Sequence, residues 1–171
     1  AFRDSGTRTG STDPPVDSAQ VIHPDRYFRH EKANAPDAPK PALKNGGKEV
    51  SEGSVGEFDH RMLIRQYLGT AKALELAPHL RGGQFRIVTS GKAHKPVLEY
   101  VSEWDSDEQA ANFFAAYRKI LQGKWKRCDI VIDTPSAFAG TGDNGYFVTR
   151  LKMDTVSSVE GVSDPADWKL L

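Results

Sequence analysis

The chain has 171 residues, with 23 lysines and arginines against 23 aspartates and glutamates, so its formal net charge is zero. That length suits one ordinary domain able to bury a core, and balanced charge leaves no long-range field to draw in nucleic acid or an anionic membrane. No apolar run nears the roughly 20 residues that span a bilayer, and a lone Cys128 excludes an internal disulfide or a cysteine-built zinc site.

The chain begins Ala1-Phe2-Arg3-Asp4, and its methionines are Met62 and Met153. This start reads as a mature end left by signal-peptide removal, or as the boundary of a piece trimmed from a larger protein. Residues 1–12 are polar and Gly/Ser/Thr-rich and are expected to be mobile. Asp17 and Gln20 then have capping-box spacing, which predicts one helical turn. Pro24 ends that turn and can start a second. Val21, Ile22, Tyr27 and Phe28 are the expected anchors of this arm on the body. Residues 33–54 hold Pro36, Pro39, Pro41, Gly46, Gly47 and Gly53 without a period of 2 or 3.6. They predict an extended connector or a flexible linker, long enough to wrap around something.

Ser54 and Glu57 repeat the capping-box spacing and open a helix through Phe58, Met62, Ile64, Tyr67 and Leu68. Gly69-Thr70 kinks or splits it. The pattern resumes at Ala71, Leu74 and Leu76, until Pro78 and Arg81-Gly82-Gly83 end it. The period then becomes 2: Gln84 to Thr89 is a strand, Gly91 to Pro96 a turn, and Val97 to Trp104 a second strand. Asp105 and Glu108 give another capping box. Behind it, Ala110, Phe113, Phe114, Tyr117, Ile120 and Leu121 form one apolar helical face, and Gly123 is the expected stop. Arg127 to Thr134 and Tyr146 to Met153 read as two more strands. The loop between them carries Gly140-Thr141-Gly142-Asp143-Asn144-Gly145, with Asn144-Gly145 a tight-turn signal. The expectation is an α+β fold: an antiparallel sheet of about four strands against helices on one face, in the order helix-β-β-helix-β-β. Its divisions are an extended N-terminal arm over 1–54, the α+β domain over 55–162 and a tail over 163–171 containing Pro165 and Trp168.

Chemistry is sparse. The histidines are His23, His30, His60, His79 and His94. His30-Glu31 begins like a zinc-protease helix, but position 34 is Asn34, so the two-histidine face is missing. His60 sits in a helix between Asp59 and Arg61, which do not share its face. Cys128 reads as a half-buried strand residue. Asp129 and Asp133 read as solvent-facing partners, on one face, of buried Ile130 and Ile132. The glycine loop lacks the Lys-Ser/Thr pair of a phosphate loop and the alternating oxygens of a calcium loop. Trp104, Trp125 and Trp168 with Lys124 and Lys126 suggest a stacking surface, but neutral overall charge argues against nucleic acid. No residue is therefore assigned as catalytic, cofactor-binding or metal-binding, and no enzyme activity is expected.

Three blocks carry a resemblance. Asp13-Pro14-Pro15 followed by Ser18-Ala19-Gln20-Val21-Ile22-His23-Pro24-Asp25-Arg26-Tyr27 is similar to a PP-x-S-x-Q-…-HP-E-K-Y segment. Gly56-Glu57-Phe58 with Leu63-Ile64 resembles a GEF-x-x-R-x-LL helix, and Trp104-Asp105-Ser106 with Ala110 and Phe113-Phe114 resembles a WD-[ST]-x-x-DA-x-x-F helix start. In this order, over about residues 13–161, they resemble the C-terminal region of exported, largely uncharacterised bacterial proteins related to zinc metallopeptidases. That family's HExxH helix would lie upstream, so no catalytic residue carries over. Leu80-Arg81-Gly82-Gly83-Gln84 also departs from the GW-x-GDR turn of the pattern. The resemblance implies an exported, non-catalytic module in the periplasm or extracellular space.

The leading expectation is an accessory or protein-interaction module. It would be an extrinsic subunit of a larger, even membrane-bound, assembly that reaches a protein partner through the arm and the Pro/Gly-rich linker. It would bind no nucleic acid and would touch a membrane only peripherally, through its partner. The alternatives are the non-catalytic C-terminal part of a metallopeptidase-like protein, and a small-ligand binder using the sheet face away from the helices.

Overall fold

The computed structural model describes residues 14–39, 48–90 and 95–164. The polar start, the stretch around Pro41, Gly46 and Gly47, the turn with His94, and the tail with Pro165 and Trp168 lie outside the described residues. In chain order the elements are α1 (Ser18–Ile22), α2 (Pro24–Phe28), β1 (Lys48–Ser54), α3 (Glu57–Leu68) and α4 (Thr70–Leu76). A 3-10 turn (Ala77–His79) follows, then β2 (Leu80–Ser90), β3 (Lys95–Trp104), α5 (Asp107–Lys124), β4 (Asp129–Asp133), β5 (Ala137–Gly142), β6 (Gly145–Lys152) and β7 (Thr155–Val162).

The sheet corrects the expected fold. Among the described residues it has seven strands rather than about four, antiparallel throughout, in the order β1-β2-β3-β7-β6-β5-β4. Two meanders, β1-β2-β3 and β4-β5-β6-β7, are joined by α5, and β7 returns to pair with β3. The three unpredicted strands share a cause. Strand β1 is polar, an exposed edge held by its backbone ladder to β2, so no side-chain period marks it. Strand β5, Ala-Phe-Ala-Gly-Thr-Gly, has Phe138 as its one large side chain, and its glycines sit where neighbours leave no room: a Cβ at Gly140 would strike the β4 backbone at Asp129, and one at Gly142 would strike Trp125. Strand β7, Thr-Val-Ser-Ser-Val-Glu-Gly-Val, buries Ser158 and Glu160 beside Val156 and Val159, which erases the alternation.

The stretch from β3 into α5 follows its sequence pattern. Tyr100 and Trp104 face Phe113, Phe114, Tyr117, Ile120 and Leu121, and the cluster continues into Ile64, Leu76, Phe138, Phe147 and Val156. The Trp104 and Phe113 rings stack at 4.3 Å between centroids. The other sheet face carries a second cluster of Val88, Val97, Ala139, Val148, Val159 and Val162. Ordinary alternation along β3 and β6 puts Val97 and Val148 opposite the first cluster.

Local ends differ from expectation in instructive ways. The cap of α5 is Ser106, whose Oγ accepts from Gln109 N at 3.2 Å, not Asp105. Gly123 lies inside α5, where the Tyr67 ring leaves little space for a Cβ, and the helix runs on to Lys124. The cap of α3 is Gly56, not Ser54, which ends β1. Asp59 Oδ2 accepts from Gly56 N at 2.8 Å, and Ser18 Oγ, from α1, accepts from Phe58 N at 3.1 Å. Gly69, at φ 87°, splits α3 from α4 as the sequence suggests. In β4 a bulge between Ile130 and Ile132 flips the alternation. Asp133 turns toward Arg118 on α5 and Ile132 joins the second cluster, so Asp129 and Asp133 do not share a face. Among the described residues no helix is long and apolar enough to cross a membrane.

Candidate functional site

A cleft of about 540 Å³ runs between the arm and the body. The starts of α3 and β2, the end of β3 and the arm itself line it. Its chemistry begins at Glu57, the first residue of α3. The side chain is 1% exposed, and His23 Nε2 lies 2.9 and 3.0 Å from its two oxygens. Arg61, one helical turn along, donates from NH2 at 2.9 Å, and Arg26 NH1 stands 3.8 Å away. A carboxylate so buried is tolerable only when its charge is met, and here three cationic or protonatable groups from two segments surround it.

The remaining arm contacts are also polar. Asp17 Oδ1 caps α1 by accepting from Gln20 N at 2.9 Å, and Asp17 Oδ2 accepts from Ala33 N at 3.1 Å. Gln20, buried, accepts from Val16 N at 2.8 Å and donates to the Glu31 carbonyl at 2.5 Å. Arg26 NH2 donates to the Pro78 carbonyl at 2.8 Å, Asn34 N to the Arg81 carbonyl at 2.8 Å, and Asn34 Nδ2 to Glu103 Oε1 at 2.5 Å. Gly82 is the enabling residue: the Asn34 backbone lies where its Cβ would be. The expected apolar anchors are thereby corrected. Val21 is 66% and Phe28 76% exposed, while Ile22 and Tyr27 are only half-buried. The arm holds on by hydrogen bonds and ion pairs, and turns Val16, Val21 and Phe28 outward.

Beneath the cleft, buried His60 completes a polar thread. Its Nδ1–H donates to the Gly56 carbonyl at 2.9 Å, which leaves Nε2 to accept from the Tyr100 hydroxyl at 2.6 Å. Burial lowers its pKa, with the Gly56 carbonyl and Asp59 opposing, and burial raises that of Tyr100. This is a core histidine wedged against Trp104 and Phe113. At the rim, His79 Nδ1 meets Asp105 Oδ2 at 2.7 Å, while Asp105 N donates to the His79 carbonyl at 2.9 Å. Asp105 is thus a clamp between the end of β3 and the 3-10 turn. Cys128 is half-buried just ahead of β4, and burial raises its thiol pKa, which disfavours the reactive thiolate. Trp104 lies in the core, and the Trp125 ring packs tilted against Phe147, 4.7 Å between centroids.

Sequence reasoning saw Glu57 only as a capping-box residue and left His23 and His79 without roles. One signal was available: Glu57, His60 and Ile64 fall at helical spacing, so two titratable residues share the buried stripe of α3. The partner of Glu57 comes from 34 residues earlier, a separation no local pattern reveals.

As chemistry, the cleft is a polar junction that fixes the arm to the body, and Asp17, Glu31, Glu103, Asp105 and Asp154 line it together with Arg26, Lys32 and Arg81. Comparison of the chain with protein-family models, with curated proteins and with solved structures gives no significant match.

Proposed function

We propose that the protein is a non-catalytic interaction module, an accessory subunit that meets a protein partner through its arm and the adjoining side of α3. The two-sided arm carries this reading. His23, Arg26, Ser18 and Asn34 bond to the body, while Val16, Val21 and Phe28 face water. On α3, which contacts α1, Phe58 and Met62 are exposed as well. Scattered exposed apolar side chains are ordinary, but several on one short docked segment beside an exposed helix face mark an interaction surface. None of the three outward arm residues is needed to hold the arm, which leaves them free for another chain.

In this reading the cleft is structural. Glu57 neutralises the arm rather than serving as a base, because His23 and Arg61 already occupy its oxygens. The expectation of an exported, extrinsic subunit of a larger assembly belongs to the same proposal, and fractionation of native cells tests it. The surface itself is tested by native pull-down with mass spectrometry, comparing the wild-type chain with a Val21→Ser, Phe28→Ser double variant. Both should melt at the same temperature, since exposed substitutions change stability by about 0.5 kcal/mol or less. The wild type should recover a stoichiometric partner that the double variant loses. A free monomer from native cells, or equal recovery by both chains, would overturn the proposal.

A further inference from the structure

A second cavity, of about 430 Å³, lies on the helix-bearing side of the sheet beyond the last turn of α5. Ile87, Pro96 and Leu98 form its apolar wall, Trp125 its aromatic side and Glu160 its floor. Both polar features are held in place. The Trp125 ring lies over Gly142, where a Cβ would stand 2.5 Å from it, and beside Phe147. Glu160 is buried, and its Oε1 accepts from the Tyr117 hydroxyl at 2.6 Å and from the Ser158 hydroxyl at 3.1 Å. Next to it, Gly161 at φ 93° turns the strand, and a Cβ there would meet the Pro96 carbonyl at 2.6 Å.

The chain places one of its own groups in this site. Lys124, the last residue of α5, pairs its ammonium with Glu160 Oε2 and holds it 4.7 Å from the Trp125 ring centroid. An ammonium between an aromatic face and a carboxylate is the arrangement by which proteins recognise free amines. The surrounding charge favours the same sign. The lining carries Glu160 and Asp143 against Lys124 alone, and it lies at the carbonyl end of α5, where the helix dipole is negative. The side chain of Lys124 is a quarter exposed on a flexible stem, so it can swing to water when another ammonium takes its place.

We propose that this cavity binds a small organic ammonium with an apolar body, and that Lys124 is its internal competitor. The body lies against Ile87 and Leu98, and the ammonium replaces that of Lys124 between Glu160 and Trp125. The site goes beyond the interaction module and does not depend on it.

The test is calorimetric titration of the full chain at neutral pH with phenethylamine, and with 3-phenylpropionate as the anion of similar shape. Lys124→Met should bind the amine about tenfold more tightly than the wild type, the ratio that roughly 1.4 kcal/mol commands. The same variant should prefer amine over acid by at least about tenfold. Glu160→Gln should lose amine binding while keeping the wild-type circular dichroism spectrum. Should that variant fail to fold, the amine-over-acid ratio in Lys124→Met decides alone. Absence of amine binding in Lys124→Met, equal binding of amine and acid, or no gain over the wild type would each overturn the proposal.

Discussion

The β3–α5 layer and the arm–body junction join pieces of this chain by opposite means. Between β3 and α5 the contact is aromatic and aliphatic: Trp104 on Phe113, Tyr100 on Tyr117. Between arm and body it is ionic and hydrogen-bonded: His23 and Arg26 around Glu57, Ser18 on the Phe58 amide, Asn34 on Arg81. Apolar burial is non-directional and scales with area, so it sets the stability of the body. Polar pairing is directional and nets little per bond, so it sets position more than stability. The arm is therefore accurately placed and cheaply released, while the layer beneath it is not.

Substitutions that strike each side separately can break that contrast. The largest effect is expected at Phe113, which is fully buried. Phe113→Ala should cost about 3–5 kcal/mol and lower the urea midpoint of the whole domain, arm included. Glu57→Ala should cost less, about 2 kcal/mol, because His23 and Arg61 can turn to water once the carboxylate is gone, whereas a wholly buried pair would lose more. Its signature is local: amides of residues 14–39 should exchange faster by hydrogen exchange while those of α5 keep their protection. If α5 loosens equally, the arm and the body are one cooperative unit and the contrast fails.

The smallest effect is a pH slope under the junction. Burial holds the folded pKa of His60 below its ordinary 6.5. Above pH 6.5 both folded and unfolded chains keep this imidazole neutral, and its contribution is full. As pH falls below 6.5, the unfolded chain takes a proton that the folded chain refuses. Stability is then lost at up to about 1.4 kcal/mol per pH unit until the folded pKa is reached. The difference between wild type and His60→Gln in denaturant melts at successive pH values isolates this slope, since every other residue is the same in both. Parallel profiles would mean that His60 is not held neutral in the fold.

The same contrast decides what the sequence could reveal. The aromatic layer was legible because its residues recur at helical and strand periods: Phe113, Tyr117 and Ile120 on one face, Tyr100 and Trp104 on the other side of the seam. The tight turn at Asn144 and the split at Gly69 were legible because glycine marks backbone that other residues avoid. Strands β1, β5 and β7 were not, because backbone pairing and close approach, not side-chain pattern, hold them. The α5 cap moved by one residue because two adjacent oxygens, Asp105 and Ser106, compete for it, and His79 claims the first. The Glu57 junction was hidden for a different reason. Its charges come from separate segments, and each alone reads as an ordinary surface residue.

The bulges that interrupt both outer strands bear on how this molecule grows or refuses to grow. Among the described residues the seven-stranded sheet ends in two open borders, β1 and β4, and each is broken by a register shift, between Glu49 and Ser51 and between Ile130 and Ile132. An incoming strand needs an unbroken run of aligned amides and carbonyls, and neither border offers one. Glu49 and Glu52 on one side, Asp129 and Asp133 on the other, would further set like charges together if two copies met border to border. The sheet is thereby obstructed against endless self-extension by its own border strands. Recognition by this protein is left to its side-chain surfaces, and fibre formation is obstructed at both ends of the same sheet that supports them.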